Sequence, residues 1–342
     1  PCTARMGLVV AQGETNRPFR MSVQGFTPWS PEKPHLYGFS VKMGEDMVES
    51  YFGMRKAELR EDENGIKRLF LNDKPYFHNG VLDQGYWPDG LYTAPSDEAL
   101  IYDIQTMKNL GFNMIRKHVK VETARWYYHC DRLGMIVWQD MVNGGTYYAP
   151  FMTWLPALFP KFKLHTSDRI HPLFGRKNVH GREEFIRECK DTVTALKAFP
   201  CISTWVIFNE GWGQFDSKKL TALFRELDDT RLIDSASGWF DRRQGDFKSE
   251  HNYFAKQFVT PSDRAFVISE YGGYTCQVKG HTCSGKTYGY KICSSQEEFQ
   301  AAYHKLMSEE IDPLKEQGLC GAVYTQLSDI EDEINGLMTY DR

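Results

Sequence analysis

Thr204-Trp205-Val206-Ile207-Phe208-Asn209-Glu210-Gly211-Trp212-Gly213 carries a stretch of apolar and β-branched side chains straight into a carboxylic acid and a glycine. A second stretch, Ala265-Phe266-Val267-Ile268-Ser269-Glu270-Tyr271-Gly272-Gly273, does the same. Apolar runs without polar alternation read as strands buried on both faces, the condition of a parallel sheet. Each glutamate then stands at the polar end of such a strand, where a (β/α)8 barrel gathers its functional loops.

Working outward, strand and helix patterns alternate from about residue 61. Ser96 is placed to cap a helix whose Leu100, Ile101, Ile104, Met107 and Leu110 share one face before Gly111 stops it. Residues 122–133 repeat the scheme up to Gly134, and residues 182–199 form a third helix ahead of the Glu210 strand. Asp216 is placed to cap a fourth, with Leu220, Leu223, Phe224 and Leu227 as its buried stripe. Strands are predicted over 76–82, 113–116, 135–138, 232–236, 250–253, 265–269 and 321–325. With the run before Glu210 they make the eight of a TIM barrel. A doubly wound open sheet would show a glycine-rich phosphate turn after its first strand, and none is present. The 17 residues from Gln326 to Arg342 are polar, acidic and short, so the last barrel helix is expected either to be missing or to lie outside this sequence.

Residues 1–60 read differently. Short runs over 7–10, 21–23, 36–43 and 47–51 are separated by Gly25, Pro28, Pro31, Pro34 and Gly44, the pattern of a β-sandwich too short to be complete. The chain is therefore divided into a partial immunoglobulin-like sandwich over 1–60 and a barrel over 61–342.

Composition narrows the partner. A net charge of −4 with 25% charged residues gives no basic stripe for nucleic acid, and no apolar run approaches the ~20 residues of a membrane span. A small soluble ligand remains, with homo-oligomerisation left open. The 8 cysteines contain no C-x-x-C or close-pair zinc spacing, so reduced thiols and no metal are expected. The lack of an Asn-x-Ser/Thr acceptor or a leader favours a cytoplasmic location.

Two carboxyl groups at neighbouring strand ends are the equipment of glycoside cleavage, in which one protonates the leaving oxygen and the other attacks the anomeric carbon. Glu210 and Glu270 are far apart in sequence, so only a closed barrel brings strands four and seven together. The acid must keep its proton near neutrality, by an apolar wall such as Trp212. The nucleophile must stay ionised, with a donor such as Tyr253. No organic cofactor is needed.

These motifs resemble family 2 of the glycoside hydrolases, which contains β-galactosidases, β-glucuronidases and β-mannosidases. In that family an Asn-Glu pair ends strand four and a Glu ends strand seven. The resemblance implies that Glu210 is the general acid/base, that Asn209 bonds the sugar 2-hydroxyl, and that Glu270 in Ser-Glu-Tyr-Gly is the nucleophile. Trp29-Ser30-Pro31-Glu32, Pro34-His35-Leu36-Tyr37 and Tyr51-Phe52-Gly53-Met54-Arg55 are similar to the end of the immunoglobulin-like domain that precedes the family's barrel. Some members use Mg²⁺.

Further strand-end residues are candidates for sugar contacts: Asp83 and Gln84 after strand one, Arg116 and His118 after strand two, Asp140 at the end of strand three, and Tyr253 after strand six. Trp87 and Trp239 are candidates to stack on sugar or aglycone. The family's β-glucuronidases hold the uronic carboxylate with an Asn-x-Lys element after strand eight. Asn335-Gly336-Leu337 lacks that Lys, which disfavours a glucuronide unless Lys117 or Lys120 serves. Gln326-Leu327 stands where many members carry a Trp, and residues 276–293 read as a long loop after strand seven. The expectation is a retaining exo-β-glycosidase of β-galactosidase type. The alternatives are a β-glucuronidase or other β-glycosidase, or a non-catalytic carbohydrate-binding barrel.

Overall fold

The computed structural model describes residues 2–7, 9–15, 17–159, 166–283 and 285–342. Eight parallel strands form one sheet: β1 (His78–Asp83), β2 (Met114–Lys117), β3 (Ile136–Asp140), β4 (Ile202–Val206), β5 (Leu232–Asp234), β6 (Phe247–Asn252), β7 (Ala265–Gly272) and β8 (Leu319–Thr325). Their order is β5-β4-β3-β2-β1-β8-β7-β6. The ends meet without a regular ladder: the Asp246 N–H donates to the Ile233 carbonyl at 2.8 Å, and the Ile233 N–H to the Asp246 carboxylate at 2.7 Å. The sheet is thus a nearly closed barrel, as the strand count predicts.

Its lumen is filled by side chains. Met114 fills the space beside Gly80, where a Cβ would come within 2.3 Å of its terminal methyl group. The Trp138 ring stacks on Phe247 at 5.2 Å, and its indole N–H donates to His78 Nδ1 at 3.0 Å. Burial pushes His78 down to about 3, so the ring is neutral and able to accept.

The helices that separate the strands are α1 (Asp97–Asn109), α2 (Ala124–Leu133), α3 (Phe151–Leu158), α4 (Val179–Leu196), α5 (Ser217–Leu227), α6 (Gln296–Lys305) and α7 (Asp312–Glu316). Ser96 accepts from the Ala99 N–H and caps α1, as expected; Leu100, Ile104 and Met107 are its buried stripe. Burying each such side chain contributes roughly 1.5–3 kcal/mol. Asp216 takes the cap position of α5 but sits at φ +44 and makes no side-chain cap bond. Asp168, 48 residues upstream of Asp216, accepts from the Ser217 N–H at 2.9 Å instead. A π-turn over Leu306–Ile311 joins α6 to α7 into one helical run ahead of β8, which the sequence reading did not recognise.

Of the expected sandwich, the described residues form one four-stranded antiparallel sheet, made of Cys2–Met6, Val9–Gly13, Tyr37–Met43 and Asp46–Phe52. The strand predicted over 7–10 includes residue 8, which lies outside the described residues. Residues 21–23 carry no strand. A separate three-stranded sheet, Ala57–Glu61, Lys67–Leu71 and Lys74–Pro75, packs on β7 and β8. Trp29 pins the amino-terminal segment to the barrel: it is buried, and its indole N–H donates to the Asp131 carbonyl at 2.7 Å. All eight cysteines are free thiols, and no helix among the described residues is long and apolar enough to cross a membrane.

Candidate active site

The ladder of β4 ends at Val206, so Glu210 lies in the turn beyond it rather than on the strand. Its backbone adopts φ +52, uncommon for a residue with a Cβ, and Gly211 follows at φ +74. The turn is held by the Glu210 N–H donating to the Ser237 carbonyl at 3.0 Å and by the Tyr148 hydroxyl donating to the Glu210 carbonyl at 2.6 Å. A Cβ on Gly211 would stand 2.3 Å from the Phe240 ring, so glycine is required there. Glu270 lies inside β7, which continues to Gly272.

The barrel brings the two glutamates together. A carboxylate oxygen of each and a ring nitrogen of His251 all lie within 4.8 Å of one another. Retaining glycosidases place their two carboxyl groups about 5–5.5 Å apart and inverting ones about 6.5–9.5 Å.

Arg116 sets the two environments apart. Its fully buried guanidinium pairs bidentately with Asp140 at 3.0 and 2.9 Å, and donates to Glu270 Oε1 at 3.0 Å and to Asn209 Oδ1 at 2.8 Å. Burial disfavours its charge, but Asp140 and Glu270 overcome this and raise its affinity for the proton. Burial likewise opposes ionisation of Asp140, yet Arg116 and His118 hold it below the usual carboxylate range. The Tyr253 hydroxyl donates to Glu270 Oε2, so Glu270 receives a charged donor on one oxygen and a neutral donor on the other. Burial and the Glu270 charge both push Tyr253 well above its ordinary value, which keeps that donor protonated.

Among the described residues Glu210 pairs with the His251 ring and with no guanidinium. Burial drives its pKa up to about 7, with only partial relief from the charges of His118 and Arg116. His251 stands between the carboxylates, its Nδ1 2.8 Å from Glu210 Oε1 and its Nε2 3.5 Å from Glu270 Oε1. Burial lowers it to about 3, so the imidazole is neutral and has one N–H to give. Gly238, at φ +83, makes room for it: a Cβ there would sit 2.5 Å from the ring.

Of the residues singled out in the sequence, Asn209, Arg116, His118, Asp140 and Tyr253 thus join Glu210 and Glu270 in one bonded cluster; His118 Nδ1 lies 3.1 Å from Asp140 Oδ2. Gln84 donates to Gln326 Oε1 at 2.9 Å and to Glu333 Oε2 at 3.3 Å. Asp83 is consumed in a buried pair with Lys117 and accepts from the Gly85 N–H at 2.7 Å. The stacking role expected of Trp87 is corrected: the ring is buried and the Arg342 guanidinium covers it at 4.0 Å. Trp239 is also buried and meets His251 edge-on at 6.0 Å, so it backs the imidazole. Trp212 is 45% exposed, so it is a poor apolar wall for the acid.

The sequence reading missed His251, which lies next to the strand-end Asn252 in β6, one residue before the strand stops. It also missed Tyr290, delivered by the loop after β7 and stacked on Tyr253 at 3.8 Å. Glu210, His251 and Glu270 form a metal-type donor set, but the Arg116 charge 3.0 Å from Glu270 opposes a cation shared by both carboxylates. Mg²⁺ does not fit this arrangement.

Residues 64–342 match the family model described as glycosyl hydrolases family 2, TIM barrel domain. Among curated proteins, the chain is similar to the β-galactosidase large subunit of Leuconostoc lactis, 25% identical over 213 residues that cover 60% of this chain and 31% of that protein. It is also similar to the β-galactosidase of Oenococcus oeni, 32% identical over 173 residues that cover 45% of this chain and 16% of that protein. The matched region thus spans less than a third of these relatives. Among solved structures, the β-D-glucuronidase of Dictyoglomus thermophilum superposes with a TM-score of 0.71 at 14% identity, over 100% of this chain and 61% of that one. The family 2 β-galacturonidase of Eisenbergiella tayi gives 0.66 at 18% identity, over 96% of this chain and 59% of that one.

Proposed function

The chain belongs to glycosyl hydrolase family 2, and from that premise we propose that it acts as a retaining exo-β-glycosidase of β-galactosidase type. The observation that carries the reading is the unlike pair: two carboxylates within 4.8 Å, one clamped by Arg116 and Tyr253, the other raised to about 7 by burial. In this scheme ionised Glu270 attacks the anomeric carbon, and protonated Glu210 gives its proton to the departing oxygen. Asn209, its oxygen engaged by Arg116, keeps its amide N–H groups to donate to a sugar hydroxyl in this scheme.

Forming the glycosyl ester removes the Glu270 charge, which leaves Arg116 less compensated. Arg116 already lowers the Glu210 pKa, so a freer guanidinium lowers it further and turns Glu210 into the base that deprotonates water. One residue therefore serves both half-reactions.

The galactoside preference rests on the curated relatives at 25–32% identity, since the uronidase structures at 14–18% speak for the fold alone. The test is hydrolysis of aryl β-galactoside, β-glucoside and β-glucuronide, with the first-formed anomer read by proton NMR and Glu270→Gln as the control. A first product of inverted configuration, or unchanged turnover in Glu270→Gln, rules the mechanism out.

A further inference from the structure

The loop after β8 returns beside the site as a rigid hairpin. Leu327 N–H donates to the Leu82 carbonyl of β1 at 2.8 Å, and Leu337 and Met338 N–H groups bond back to Gln326 and Leu327 at 2.9 and 3.0 Å. Its return is tight enough that a Cβ on Gly336 would come within 2.2 Å of the Asp329 nitrogen. At the tip the Glu333 and Ile330 backbones bond to each other at 2.8 and 2.9 Å, and Tyr288 from the loop after β7 is zipped alongside.

This hairpin presents amides and carboxylates. Gln326 donates to Asn335 Oδ1 at 2.8 Å, Asn335 donates to Glu333 Oε1 at 3.1 Å, and Gln84 reaches Glu333 Oε2 at 3.3 Å. Burial raises the Glu333 pKa, while the bonds from Asn335 and Gln84 and the His118 charge favour its ionised form; that His118 and Glu270 both act on it puts Glu333 within electrostatic reach of the nucleophile. Asp329 stands in the same loop and accepts from the Gly336 N–H at 2.8 Å.

The neighbouring cations are already committed. Lys117 is paired with Asp83 and Glu122, Lys120 with Glu122 and the Gly85 and Tyr92 carbonyls, and Arg116 with Asp140 and Glu270. Lys117 and Lys120 therefore cannot serve a substrate carboxylate without abandoning buried partners. Arg242, whose guanidinium has unpartnered atoms, belongs to the loop after β5 and lies over Phe174.

We propose that Glu333, held by Gln84 and Asn335, is a specificity-determining residue that selects uncharged glycones and turns uronic acids away. Sugar hydroxyls are donors that a fixed carboxylate accepts, whereas a substrate carboxylate meets the Glu333 oxygens where, among the described residues, the nearby cations Lys117, Lys120, Arg116 and His118 are all paired with other acids. The proposal rests on the glycosidase reading above and narrows it.

The experiment compares kcat/KM for p-nitrophenyl β-galactoside with that for the β-galacturonide, which differ only at C6, in the full chain and in Glu333→Gln. Expected is a preference of about 100-fold or more for the neutral sugar, shrinking by at least about tenfold in the variant. Calorimetric titration with galactose and with galacturonate reads the same selectivity without turnover, and galactose alone should bind. Galacturonide cleaved or galacturonate bound as well as the neutral partner overturns the role of Glu333 while leaving the glycosidase reading intact. Absence of all hydrolysis, with selective galactose binding retained, sinks the glycosidase reading and leaves the selectivity standing. If Glu333→Gln fails to fold, the wild-type ratios alone decide.

Discussion

Replacing Glu210 by Gln removes the one proton that the proposed first step needs while keeping the shape of the side chain. Burial places the Glu210 pKa at about 7, and the protonated fraction follows from it: about 90% at pH 6, about half at pH 7 and about 1% at pH 9. Because the raised pKa belongs to an acid, the active form is present below 7 and lost above it. For a substrate with a poor leaving group, such as an alkyl β-galactoside, kcat/KM should fall roughly 100-fold between pH 6 and pH 9. A dinitrophenyl β-galactoside leaves without a proton and should show a much shallower alkaline limb.

In Glu210→Gln the alkyl substrate should lose about 10²–10⁴-fold and the alkaline limb should vanish, with the dinitrophenyl substrate nearly unaffected in its first step. Stability should move the other way. An ionised Glu210 is disfavoured in the fold, a penalty that begins above the unfolded carboxylate pKa of about 4.3 and is complete above about 7. The variant should therefore melt higher than the parent at pH 8 and no higher at pH 4. Equal losses on both substrates, or an alkaline midpoint that survives the substitution, refute the assignment of the proton to Glu210. A midpoint near 4–5 in the parent refutes the burial argument.

Arg116→Met leaves Asp140 and Glu270 buried beside each other without their cation, which should destabilise by about 3–5 kcal/mol in chemical denaturation and abolish turnover. Tyr253→Phe removes one of the two donors to Glu270; kcat should drop about tenfold or more with the fold intact by circular dichroism, since one charge-directed hydrogen bond contributes about 1.5–3 kcal/mol. Gly211→Ala forces a Cβ to 2.3 Å from Phe240 at φ +74, so activity should fall with a loss of about 1–3 kcal/mol. Asp168→Ala strips the α5 amino terminus of the only side-chain acceptor it has among the described residues and should cost about 1 kcal/mol in thermal denaturation without changing KM.

The barrel was legible because β4 and β7, buried on both faces, lie in long apolar runs, and because strand and helix patterns alternate between them. Ser96 was legible for the same kind of reason, since a cap acts within one turn. What escaped depends on partners distant in sequence. Asp216 has the right residue type for a cap, but its positive φ turns the side chain away, and Asp168 does the work from another segment. The continuous run through α6, the π-turn and α7 escaped because Ala302, Leu306, Ile311 and Leu314, its buried residues, are spaced by four, five and three, which breaks a 3.6-residue stripe. Trp87 looked like a sugar platform until Arg342, 255 residues later, covered it.

The same limit explains which part of the site could be read. Glu210 and Glu270 announce themselves, because each interrupts an apolar run with a charge that no strand wants. Their division of labour came from the family resemblance and not from residue type, since both are glutamates before a glycine or tyrosine. It is decided by the reach of one side chain: Arg116, on β2, touches Glu270 on β7 and Asn209 beside Glu210, but stops short of Glu210 itself. A guanidinium in contact with Glu210 would lower its pKa and leave no acid near neutrality. In the proposed mechanism, a single buried cation that pairs with Glu270 and not with Glu210 suits the first to attack and the second, raised to about 7 by burial, to give its proton.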